Sequence, residues 1–160
     1  SPLDLISCSN CIERPRNFLY QKWLIHRLKK QLWYGYRNEG ILLPKSKLSK
    51  KIKGLKTIGE FDAEFTAPSW GFKSLKDYYY QASPIFRIQK LIKNLPPTLL
   101  IHSKDDPWVP YESTLDLKNS VNESLDKLTI LITKKGGHNG FHSNGGCWSD
   151  EAVKSWLLSL

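Results

Sequence analysis

The amino-acid sequence predicts an α/β fold with a parallel sheet, of which residues 93–160 supply the last strands and helices. Three observations carry this. Residues 98–102 and 128–132 are apolar, β-prone runs that do not alternate, as suits strands buried on both faces of a parallel sheet. Each run is followed by a helical pattern, over residues 112–119 and 149–160, so the order is strand, helix, strand, helix. Between each strand and its helix lies a loop of functional type, Asp105-Asp106-Pro107 after the first and Lys134-Lys135-Gly136-Gly137-His138-Asn139-Gly140 after the second.

The elements follow in order. Residues 16–33 predict an amphipathic helix, with Leu24, Leu28 and Leu32 at four-residue spacing and Leu19 and Trp23 as a second i,i+4 pair. Gly35 and Gly40 are its expected stops. Lys45 to Lys56 is lysine-rich with Leu48, Ile52 and Leu55 at helical spacing. Residues 60–92 are aromatic. Thr66-Ala67-Pro68 and Trp70-Gly71-Phe72 read as loop, because Pro and Gly interrupt regular structure. Residues 74–82 read as a short helix, with Ser74 as N-cap and Asp77 three residues on. Pro96-Pro97 introduces the first strand. The last helix has Ala152, Val153, Trp156, Leu157 and Leu160 on one face and Ser149 as its expected N-cap.

Bulk properties bound the class. In 160 residues, 40% are hydrophobic and 24% charged, which is a globular and not a disordered composition. No apolar run reaches the roughly 18 residues of a membrane span, and no signal pattern opens the chain, so the cytoplasm is the default expectation. The net charge of +9 is uneven: residues 1–60 carry 13 Lys and Arg against 4 Asp and Glu, and residues 61–160 carry 11 of each. The first part is therefore expected to present a solvated basic surface. Attraction to an anionic membrane surface is the next reading, because Trp23, Trp33 and Tyr34 interleave with the cations. Charge alone permits nucleic acid, but no motif supports it and none is expected as a partner. Cys8-x-x-Cys11 has half-site spacing, but no second pair accompanies it, so two incidental thiols are expected.

Loops at strand C-termini carry function in open α/β sheets. Adjacent parallel strands would bring Asp105 or Asp106 beside His138. A carboxylate there can fix the imidazole tautomer and stabilise its charged form, and the imidazole can then act as general base on a serine hydroxyl. His138 and His142 with Cys147 lack a familiar fourth ligand spacing, so no metal is expected. His102 ends a strand and is expected to be a hydrogen-bonded core histidine. His26, on the basic helix, needs no special role.

His102-Ser103-Lys104-Asp105-Asp106-Pro107-Trp108-Val109-Pro110 resembles the acid loop of α/β-hydrolases, and Gly136-Gly137-His138-Asn139-Gly140-Phe141 resembles their histidine loop. The family's acid comes three after a small residue and four before a proline. With Ser103 and Pro110 in those places, the resemblance implies Asp106 as the acid, and Asp105 reads as a solvated turn carboxylate. Phe61-Asp62, Phe65-Thr66-Ala67-Pro68, Gly71-Phe72, Asp77-Tyr78-Tyr79, Ser83 and the opening Ser1-Pro2-Leu3-Asp4-Leu5 resemble the YheT-like branch of hydrolases and esterases. The resemblance implies the C-terminal part of an α/β-hydrolase fold with a mostly helical cap insertion. Residues 1–10 would end an N-terminal sheet portion, 11–92 form the basic and aromatic cap, and 93–160 form the βαβα portion of the core. It implies a carboxylic-ester hydrolase acting on short or medium acyl esters or acylglycerols, through a Ser-Asp-His triad with Asp106 and His138 and no cofactor.

The family's G-x-S-x-G nucleophile motif is absent from residues 1–160. Two central-type strands cannot cover their own edges and faces, and methionine is absent from the chain. The serine and the N-terminal half of the hydrolase are therefore expected upstream, and residues 1–160 alone are expected to be inactive. The alternative is a non-catalytic basic module that binds a membrane surface or nucleic acid, recognisable by a steep salt dependence.

Overall fold

Helix α1 (Leu5–Ile12) starts under Asp4, whose carboxylate accepts the Ile6 and Ser7 N–H groups at 2.9 and 3.2 Å. That is the usual duty of an N-cap acid, satisfying donors that have no partner within the helix. The computed structural model describes residues 2–38, 44–121 and 127–160. Two units divide the chain: Ser9–Tyr79, and Ser1–Cys8 with Tyr80–Leu160.

The first unit is helical. After a tight turn over Pro15–Asn17, α2 runs from Phe18 to Asn38. Gly35, an expected stop, lies inside it. One interior glycine costs about 1 kcal/mol against alanine, too little to end a helix whose other face is packed. Gly40, the other expected stop, lies outside the described residues. α2 buries Gln21 and Ile25, and half-buries Leu24, Leu28 and Leu32 beside them. α3 (Lys45–Gly54) buries Leu48 and Ile52, as their spacing predicts, and keeps its lysines outward. The Lys29 ammonium donates to the Leu55 carbonyl at 2.7 Å, which caps the end of α3 from α2. The short helix α4 (Ile58–Phe61) is opened by a reciprocal capping box between Thr57 and Glu60.

Residues 62–69 differ from expectation. Asp62–Thr66 form one π turn, closed by the Ala67 N–H on the Asp62 carbonyl, and Ala67–Ser69 continue as α5. Pro68 does not prevent this, because the first turn of a helix needs no N–H from it. The break comes later, at Gly71, whose φ is +76°. α6 (Leu75–Ala82) starts from Ser74, whose hydroxyl accepts the Asp77 N–H at 3.1 Å. Tyr79 is buried on α6 and donates its hydroxyl to Asp62 at 2.8 Å. Burial pushes its phenol above the ordinary range, and the Asp62 carboxylate adds to the effect.

The second unit holds the sheet. α7 (Ile85–Leu91) precedes β1 (Thr98–Ser103), α8 (Glu112–Ser120) crosses over, and β2 (Leu128–Thr133) pairs with β1 in parallel, from Thr98 opposite Leu128 to Ser103 opposite Thr133. Among the described residues this sheet has two strands. Leu3, Leu117, Leu128 and Ile130 form its buried core, and Ile85, Ile88 and Ile92 pack against them. The segment from 85 to 92, which the sequence groups with the cap, thus packs on the sheet. Its isoleucines recur at i, i+3 and i+7, a helical stripe that any apolar partner could satisfy.

A small antiparallel pair follows, β3 (His142–Ser143) with β4 (Gly146–Cys147), and leads into α9 (Trp148–Leu157). The cap position of α9 falls on Cys147, not on Ser149. The Trp148 N–H donates to the Phe141 carbonyl at 2.8 Å, so the hairpin sets the helix start and leaves Ser149 in the first turn, beside the Cys147 thiol. The Trp156 indole donates to Thr129 on β2 at 3.2 Å, which docks α9 on the sheet. No described helix is long and apolar enough to cross a membrane.

His102 is the last residue but one of β1 and is buried. Its Nε2 lies 3.1 Å from the Val109 carbonyl and its Nδ1 lies 2.7 Å from the Thr114 hydroxyl. A carbonyl can only accept, so Nε2 carries the hydrogen and Nδ1 accepts from Thr114. Thr114→Val keeps the shape and leaves Nδ1 without its donor. We expect a loss of about 1–3 kcal/mol in urea unfolding, and an unchanged midpoint would remove this pair from the account of stability.

Candidate active site

Parallel pairing in register places the C-terminal ends of β1 and β2 side by side. The ladder runs one bond further, with the Lys104 N–H donating to the Thr133 carbonyl at 2.9 Å. The two loops that leave these ends therefore start as neighbours. Asp106 and His138, 32 residues apart, meet there with Nδ1 of His138 2.9 Å from Oδ2 of Asp106.

The Asp106 carboxylate is held before it meets the imidazole. Its Oδ1 accepts the N–H groups of Trp108 and Val109, both at 2.9 Å. This turn leaves Oδ2 for His138. The Asp106 side chain is 5% exposed and that of His138 34%, so the pair is covered on the acid side and open on the base side. Trp108 lies edge-on to the imidazole, 5.0 Å between ring centres. Burial alone would raise the Asp106 carboxyl. The amides of Val109 and Trp108 and the contact with His138 outweigh it, and hold the group below the ordinary carboxylate range. An ionised Asp106 can only accept, so Nδ1 of His138 carries its hydrogen and the lone pair stands on Nε2.

This sets a pH dependence. The folded value of Asp106 is below the unfolded value of about 3.9, so the unfolded chain takes up the proton first as pH falls. Its contribution to stability is complete above about pH 4 and is lost as pH drops through the folded value. Acid titration of unfolding should show this slope, and Asp106→Asn should flatten it. An identical slope in the variant would assign it to other groups.

A second contact was not foreseen from sequence. Asp105, read as a solvated turn carboxylate, is exposed, yet its Oδ1 accepts the Gly137 N–H at 2.8 Å. That amide is the main cause of its lowered carboxyl value. On the other side of the same residue, the buried Ser103 hydroxyl donates to the Gly137 carbonyl. The residue before His138 is thus held at both its N–H and its C=O by β1 and the acid loop. The small-residue position and the paired aspartates were the available signals. Neither discloses a partner more than 30 residues away.

Gly136 and Gly137 allow this loop its path. Gly137 has φ +59°, and Phe141 closes the turn at φ 47°. The Gly136 carbonyl accepts both Gly140 and Phe141 N–H groups at 3.0 Å. A cavity of about 310 Å³ borders β1 along its length and reaches Asp106, His138 and Phe141.

The remaining candidates lie elsewhere. His142 and Cys147 face each other across the hairpin, Cys8 and Cys11 are buried on α1, and His26 is exposed on α2. Among the described residues no group of three or more His, Cys, Asp and Glu is placed to hold a metal ion.

Comparison with known proteins agrees with this architecture. A family model described as the prolyl oligopeptidase family matches residues 55–159. The chain is 30% identical over 140 residues to "Putative esterase slr0264" of Synechocystis, covering 86% of this chain and 36% of that protein. It is 29% identical to "Putative esterase YheT" of Escherichia coli, covering 99% of this chain and 45% of that one. It is 34% identical over 111 residues to the medium-chain fatty acid ethyl ester synthase/esterase 2 of Saccharomyces cerevisiae, covering 69% of this chain and 23% of that one. The chain thus spans less than half the length of each of these relatives. No solved structure matches.

Proposed function

The chain belongs to the prolyl oligopeptidase family of α/β-hydrolases, and we propose that it supplies the acid and the base of a Ser-Asp-His triad in a carboxylic-ester hydrolase. The serine lies outside residues 1–160, which hold no G-x-S-x-G motif. The single observation that carries the reading is the His138–Asp106 contact of 2.9 Å at the ends of adjacent parallel strands. The names of the relatives, esterases among them, favour an ester over a peptide bond.

In this reading the serine hydroxyl attacks the ester carbonyl while Nε2 of His138 takes its proton. The imidazolium that forms is stabilised by Asp106, and the tautomer is the one that ionised Asp106 imposes. His138 returns the proton to the leaving alcohol. It then takes a proton from the water that attacks the acyl-enzyme, and returns it to serine as the acid departs. Both steps balance without a redox group. The substrate class is short or medium acyl esters or acylglycerols, and the basic helical segment adds peripheral contact with a membrane that carries them. Residues 1–160 alone would not turn over ester.

The test uses the full-length protein. A fluorophosphonate probe should label one serine, and p-nitrophenyl acyl esters should be cleaved faster than a prolyl peptide anilide. Folded protein that takes no label and cleaves no ester would sink the proposal. Preferred cleavage of the anilide would move it to peptide bonds.

A further inference from the structure

The helical unit carries a surface that ester hydrolysis does not use. On the side of α2 away from Gln21 and Ile25, Leu19, Trp23 and Tyr34 are 79, 55 and 66% exposed, and Phe18, nearer the buried side, is 58% exposed. Lys22, Arg27 and Lys30 are exposed among them. The spacing of Leu19, Trp23, Arg27, Lys30 and Tyr34 puts them on one stripe of the helix, with Lys22 flanking it and Phe18 beyond. A helix face turned to water is ordinarily polar, and large apolar side chains clustered on one face mark a contact with something.

The charge says with what. From Phe18 to Tyr36 there is no carboxylate, while Lys22, Arg27, Lys29 and Lys30 are all cations. The Lys22 ammonium lies 6.0 Å from the Phe18 ring and the Arg27 guanidinium 5.9 Å from the Trp23 ring, so charge and aromatic stand at one level. A second copy of the same face would set cation against cation. Beside the stripe, a cavity of about 620 Å³ is lined by His26, Lys29, Lys30, Trp33, Tyr34 and Lys45, with Ile52 and no carboxylate. Rings that bury at the acyl boundary, beside cations that meet phosphate, are the pattern of a helix lying in an anionic lipid surface.

We propose that this face of α2 docks the protein on an anionic membrane, with Leu19 and Trp23 entering the interface and Lys22, Arg27 and Lys30 meeting lipid phosphates. The docking stands without the esterase reading; its use, to bring the active site to lipid-borne esters, rests on that reading.

The test is sedimentation of full-length protein with phosphatidylcholine vesicles, with and without phosphatidylserine. Binding should require phosphatidylserine and fall with salt. Lys22→Ala with Lys30→Ala should weaken it about thirty-fold, and Leu19→Ser with Trp23→Ser should abolish it. Turnover of a soluble ester should not change in either variant. Equal binding to both vesicle types, no binding, or undiminished binding of the variants would overturn the proposal. So would a clear fall in melting temperature of Leu19→Ser with Trp23→Ser in the absence of vesicles, which would put this face inside the full-length fold. Vesicle binding by a protein that cleaves no ester would sink the esterase reading alone.

Discussion

Asp106→Asn is expected to lower ester turnover by the full-length protein by about four orders of magnitude, with little change in fold. The asparagine oxygen can still accept the Trp108 and Val109 amides that hold Oδ1 now. Its amide nitrogen would then face Nδ1 of His138, where Oδ2 stands at 2.9 Å. Two donors cannot share that contact, so the imidazole must move its hydrogen to Nε2. The nitrogen that should accept the serine proton becomes a donor. Asp105→Asn is the matched control, because its side-chain oxygen can still accept the Gly137 N–H, and turnover should fall less than about ten-fold. Turnover of a p-nitrophenyl ester reads both. An equal collapse in Asp105→Asn would transfer the acid's role to Asp105.

Gly136→Ala is expected to destabilise the protein by about 3 kcal/mol and to cost activity with it. A Cβ there would stand 2.5 and 2.6 Å from two carbons of the Phe141 ring and 3.1 Å from the Ser103 Cβ. Phe141 cannot swing away freely, because its N–H is bonded to the Gly136 carbonyl and its own carbonyl receives Trp148. Either the histidine loop opens or the ring leaves its place. Gly137→Ala meets open space but keeps φ at +59°, so it should cost only about 1–2 kcal/mol. Gly145→Ala, with nothing within 4 Å, should be close to neutral. Melting temperatures in the order Gly145, Gly137, Gly136, from highest to lowest, are the expected result. A Gly136 variant as stable as the Gly145 one would show that the loop can rearrange.

Much of the α/β unit was legible because its signals are local. The runs at 98–102 and 128–132 became β1 and β2 because β-prone apolar residues without alternation suit a strand covered on both faces. Leu48 and Ile52 point inward on α3 for the same kind of reason, a period that one element carries by itself. Signals that depend on a partner misled. Gly35 reads as a stop, but the packed stripe of α2 outweighs one glycine. Pro68 reads as a loop residue, but its place in a first turn makes it harmless. Leu19 and Trp23 read as a second apolar pair, and periodicity cannot say that this pair would face water.

By itself, the sequence determined the parallel strand–helix order, the two loops at strand ends, and the residue types that acid and base chemistry needs. These follow from periodicity, β-propensity and turn chemistry, which act within a few residues. The tertiary structure alone decided three things: that Oδ2 of Asp106 is the oxygen on His138, that Asp105 and Ser103 hold Gly137 at its N–H and its C=O, and that the 85–92 isoleucines pack on the sheet. Each is a distance between residues far apart in the chain. Parallel register and packing set such distances to within an ångström, and no local pattern encodes them.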